Sequence, residues 1–181
     1  MIDMMNIRFA QTIFVIGENG TMSMAIMYMV IGFGTLFTPI LARRLVRDTP
    51  AGTQIVMIFG LSQLVVGCTA LVFVGNFYVF LAANLVRSGG TSLAQVYAAL
   101  VLQKTLPAAM RGRIFALELS FMTLSSCLAR VFAGYANDIL GLTVYQVDTI
   151  GLAIAAVNLC WWLAFFRLSR KARDAAYAAN A

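Results

Sequence analysis

The sequence predicts an all-α membrane protein, a helical bundle of five full transmembrane spans, on three observations. Hydrophobic residues make up 61% of the 181 and charged residues only 11%, with a mean hydropathy of +0.87, whereas soluble domains are roughly one quarter charged. No charged residue stands between Asp48 and Arg87, a stretch long enough for nearly two crossings at roughly 20 residues each. Apart from Arg8, Arg87 and Arg130, the Lys and Arg residues gather in short loops and the tail, at alternate ends of the apolar segments.

Residues 1–16 are apolar but carry Asp3, Asn6, Arg8 and Gln11. At ~1.5 Å per residue they are too short to cross a ~30 Å core, so a partial or an interfacial helix is expected. Gly17-Glu18-Asn19-Gly20 is a turn, and the bundle is expected over residues 17–166. Its first span, 23–42, contains Gly32 and Gly34 for close helix approach and Pro39 near its end. A basic loop with Arg43, Arg44 and Arg47 leads to the second span, 55–74. Gly75-Asn76 reverses the chain into the third, 77–102, which ends in a basic turn with Lys104, Arg111 and Arg113. The fourth span is 114–136, the turn that follows has no Lys or Arg, and the fifth span is 149–166. The tail, 167–181, carries Arg167, Arg170, Lys171 and Arg173. By the positive-inside rule the basic ends and the C-terminus face the cytoplasm, in a plasma (inner) membrane, with residues 17–20 outside.

The net charge of +6 is accounted for by this topology, so no nucleic-acid partner is expected. Cys68, Cys127 and Cys160 all lie in apolar segments and the chain has no His, so neither a disulfide framework, a metal site nor a cofactor is expected. There is no Gly-x-Ser-x-Gly, no phosphate loop and no paired carboxylates, which argues against an enzyme.

Polar residues inside the spans each need a reason, because a charge in hydrocarbon costs about 2.5–3.5 kcal/mol on insertion scales. Arg87 lies about 15 Å down the third span, near the midplane. Asn84, Ser88, Thr91 and Gln95 share its helical face. That face should line a bundle interior or an aqueous cavity, with Arg87 either bonded to carbonyls or a buried acid, or handling substrate or protons. Gly89-Gly90 either admits a neighbouring backbone or permits bending, the packing use being the commoner. On the fourth span Thr123, Ser126 and Arg130 form a second stripe. Arg130 lies close enough to the outer surface to snorkel, and for Glu118, about one turn into the span, pairing with Arg111 or Arg113 at the interface is favoured over a direct functional role. Gln63 and Asn158 are weaker cavity candidates.

These residues resemble a known family. Leu85-Val86-Arg87-Ser88-Gly89-Gly90, followed by Pro107-x-x-x-Arg111-Gly112-Arg113 and Ile114 to Glu118, is similar to the major facilitator superfamily pattern of an intramembrane Arg, glycines and a cytoplasmic Pro-x-x-x-Arg-Gly-Arg loop. Gly134 to Gly141 resembles the Gly-x-x-x-Asp-x-x-Gly that closes the penultimate helix. The loop holding Arg43, Arg44 and Arg47 departs from the family's basic signature, having Arg where an acid belongs. The resemblance implies a partial major-facilitator-type fold, the C-terminal half of a twelve-helix efflux carrier, with residues 1–16 ending the seventh helix and the five spans as helices eight to twelve. It further implies secondary active transport of a small-molecule substrate through the lipid bilayer, and a complementary six-helix half or a second copy as partner. The alternative expectation is a truncated, structural or non-transporting membrane fragment.

Overall fold

The structure is a computed structural model that describes residues 2–46 and 50–179, with side chains at 4–46, 52–103 and 106–167. Arg47, and the side chains of Lys104, Arg170, Lys171 and Arg173, lie outside the described residues. Six helices follow one another: α1 (Ile2–Thr12), α2 (Thr21–Leu45), α3 (Pro50–Val72), α4 (Phe77–Thr105), α5 (Ala108–Asp138) and α6 (Val144–Ala179). A short 3-10 turn, Glu18–Gly20, precedes α2, and no strand occurs among the described residues.

Local chemistry sets the helix starts. Gly20, with φ of 75°, turns the chain into α2, and Asn76 caps α4 by accepting the Tyr78 N–H at 3.0 Å. Thr143-Val144-Tyr145-Gln146 forms a reciprocal cap. The Thr143 N–H donates to Gln146 Oε1 at 2.9 Å and the Gln146 N–H to Thr143 Oγ1 at 3.4 Å. Two orphan amides are satisfied, and α6 begins at Val144.

Among the described residues four helical segments, 18–45, 52–72, 108–138 and 144–167, are long and apolar enough to cross a membrane, which corrects the expected five. The one that falls short is α4. Its 29 residues could reach ~43 Å, but Asn84, Arg87, Ser88, Thr91, Ser92 and Gln95 dilute its apolar character. Helix α4 tolerates them by packing between α2 and α3 along its length, while α6 covers the far side of α3.

Glycines make this packing close. A Cβ on Gly67 of α3 would stand 2.6 Å from the Arg87 Cβ, and one on Gly60 would stand 2.8 Å from the Leu93 Cβ. From α4 itself, Gly89 abuts Thr38 of α2 and Gly90 abuts Gly60 of α3. Gly89-Gly90 therefore serves the close approach of two backbones, one on either side.

The buried side chains form three groups. Phe9, Met27, Leu71, Val74, Phe80 and Ala83 make one, extended by Phe14, Phe77 and Tyr145; Phe9 lies 5.5 Å from Phe80 and 5.2 Å from Tyr145 between ring centroids. Val56, Met57, Leu93 and Tyr97 make a second, nearer the other end of α4. Met5, Ala133, Ala136 and Val147 join α1, the end of α5 and the start of α6.

Candidate functional site

Between the first two groups, α4 presents its polar residues to the interior. Asn84 is fully buried, Ser88 is 4% exposed and Arg87 is 7% exposed. Asn84 is the junction. Its Oδ1 accepts from Asn6 Nδ2 of α1 at 2.8 Å and from Arg87 Nη2 at 3.3 Å, while its Nδ2 donates to the Phe80 carbonyl at 3.0 Å. Ser88 Oγ donates to the Leu85 carbonyl and Thr91 Oγ1 to the Arg87 carbonyl, each at 3.1 Å. One turn further, Ser92 Oγ crosses to the Thr35 carbonyl of α2 at 2.8 Å.

Asp148 of α6 completes this centre. It is 2% exposed, and neither carboxylate oxygen has a hydrogen-bond partner among the described residues. Its charge interacts with that of Arg87, and buried Cys68 of α3 feels both. A carboxylate removed from water needs a cation or hydrogen bonds, because its desolvation costs several kcal/mol. Arg87 acts on it electrostatically, without an ion-pair contact between the two. The assembly is a polar layer, with Asn6, Asn84 and Arg87 hydrogen-bonded in series and Asp148 buried without a hydrogen bond among the described residues, enclosed by aromatic side chains toward one end of α4 and by Leu93 and Tyr97 toward the other. It can hold or release a proton at Asp148, and it can offer guanidinium N–H groups to an anion or a carbonyl.

Of the residues singled out on α4, Asn84, Arg87 and Ser88 meet here, Thr91 is half-buried beside them, and Gln95 is exposed. Those of α5 do not join them. Thr123, Ser126 and Arg130 are all exposed on a helix whose apolar central portion has no buried residue. The Thr123 hydroxyl donates to the Leu119 carbonyl at 2.8 Å, so its polarity is met within the helix. Arg111 and Arg113 stand in the first turns of α5, and Arg111 Nε donates to the Leu106 carbonyl at 2.9 Å. Glu118 is half-buried and makes no ion pair with either arginine among the described residues, which corrects the expected pairing. Once the helix starts at Ala108, Glu118 lies five and seven residues beyond them, outside the three- or four-residue spacing at which helical side chains meet. The ion pair that does form joins Arg8 of α1 to Asp138 at 2.7 Å, on the surface.

Asn6 and Asp148 are the functional candidates that reading the sequence overlooked. For Asp148 the signal was present: Val144, Val147, Asp148, Gly151 and Ala155 recur at helical spacing, and Thr143-x-x-Gln146 announces the helix start ahead of them. No protein-family model matches the chain, and no curated protein or solved structure matches it.

Proposed function

We propose that this chain is the C-terminal half of a major-facilitator-like carrier that performs secondary active efflux of a small molecule. In this reading it sits in the plasma (inner) membrane with its basic ends in the cytoplasm. The observation that carries the proposal is the buried polar layer: an arginine hydrogen-bonded to an asparagine pair, and a buried aspartate on another helix, inside a bundle with four apolar spans. Ionisable groups in such a setting are costly and are kept for substrate or ion pathways. Protonation of Asp148 would discharge the carboxylate and remove its pull on the Arg87 guanidinium. Loss of that proton would draw the guanidinium back. An ion gradient acting on Asp148 is thereby coupled to what Arg87 can bind.

The outer face of α5 supports the same reading. Arg130 is exposed on a helix of membrane-spanning length, and it is better served by an aqueous cavity shared with a complementary half or a second copy than by acyl chains.

The test is ethidium efflux from cells expressing the chain together with its complementary half. Arg87→Ala should abolish efflux while membrane insertion is retained. Adding Asp148→Asn should recover thermal stability in detergent without recovering efflux. If Arg87→Ala effluxes normally, the transport role is rejected. If stability and efflux return together in the double variant, Arg87 serves only to hold the bundle together.

A further inference from the structure

At the end of the bundle where α2 finishes, an open groove of about 940 Å³ runs between α2 and α4. Its upper rim carries Arg43 and Arg44, both exposed and in the last turn of α2, with neither making an ion pair among the described residues. Its walls are Pro39 on α2 and Val96 and Leu100 on α4, and its lining includes Tyr97. Tyr97 is 8% exposed and packs with Val56, Met57 and Leu93, which makes that side of the groove firm. Among the described residues no Asp or Glu lines the groove.

Two arginines at a helix C-terminus need no ligand to explain them, since cations favour that end of the helix dipole. The groove beneath them does ask for one. It has a cationic rim and an apolar trough, and its volume matches that of ligand clefts. Where a membrane-spanning bundle meets the headgroup level, a basic rim above an apolar slot is complementary to one kind of molecule. We infer that this groove binds an anionic phospholipid, its phosphate on Arg43 and Arg44 and one acyl chain lying along Pro39, Val96 and Leu100. A free phosphate would use only the rim, and a zwitterionic lipid would gain little from two cations. The inference rests on the membrane reading alone and uses neither Arg87 nor Asp148, so a failed efflux test leaves it standing.

The test is native mass spectrometry of the full chain released from detergent, with phosphatidylglycerol or phosphatidylcholine of identical acyl chains added. Phosphatidylglycerol should be retained preferentially, and excess inorganic phosphate should not displace it. Arg43→Gln and Arg44→Gln should each lower the preference roughly fivefold, the equivalent of ~1 kcal/mol per basic residue at an anionic surface. Val96→Trp, which fills the exposed wall with an uncharged group, should lose the adduct with both arginines in place. Equal retention of the two lipids overturns the inference, as does an undiminished preference in the double arginine variant. Displacement by phosphate overturns it in favour of a free-anion site. Should the double variant fail to accumulate, a Val96→Trp protein that keeps its phosphatidylglycerol adduct overturns it equally.

Discussion

Helices α4 and α5 are of similar length, 29 and 31 residues, and each carries one arginine in a stripe of small polar residues. Their surroundings are opposite. Helix α4 is embraced by α2 and α3, and its arginine is buried; α5 touches the rest of the fold chiefly near its C-terminal end, and its arginine is exposed. What separates them is the company they keep. Gly34, Gly60 and Gly67 on the neighbouring helices lie against α4, whereas Gly134 of α5 would bring a Cβ no closer than 3.6 Å to the Met4 side chain. A polar stripe marks a face that avoids lipid. Glycines on the facing helices decide whether that face meets protein.

The sharpest way to break this comparison is to remove each arginine in turn. Arg87→Ala should cost about 3 kcal/mol in detergent unfolding, because it strands a buried carboxylate, and Asp148→Asn on top of it should return most of the loss. The absence of any recovery would mean that the two charges are not coupled. Next in size, Gly90→Ala should destabilise by about 2 kcal/mol, since its Cβ would meet the α3 backbone. The matching change on α5, Gly134→Ala, should stabilise by up to ~1 kcal/mol through helix propensity alone. Opposite signs are expected from the same chemical substitution, and equal signs would refute the role given to close packing. Smallest of all, Arg130→Ala should shift stability by no more than ~0.5 kcal/mol, because the side chain is exposed. A larger loss in the isolated chain would show that α5 is covered by a second copy.

Much of this is legible in the sequence. The spacing of Asn84, Arg87 and Ser88 marks a single face, and Gly75-Asn76 marks the reversal between α3 and α4, because helical period and capping chemistry are local properties. Asp148 escaped notice because Gln146 and Asp148 look like loop residues when hydropathy alone sets the helix start; the Thr143–Gln146 cap moves that start to Val144 and carries Asp148 inside. The number of apolar spans was overcounted for the converse reason. Helix α4 is shielded by its neighbours and so need not be apolar, and shielding is a property of the assembled bundle. The exposure of α5 was beyond reach altogether, since nothing within residues 108–138 states which neighbours bring glycine to meet it.

The double glycine of α4 also has a mechanical effect. Advancing this helix by one residue would turn it about 100° and drive a side chain into slots at Thr38 and Gly60 that accept none. Helix α4 is thus keyed to α2 and α3 and cannot roll or slide independently of them. The three are expected to tilt as one body, which leaves α5, attached through the extended Leu106–Pro107 joint at one end and through Ala133, Ala136 and Asp138 at the other, as the helix least tied to them.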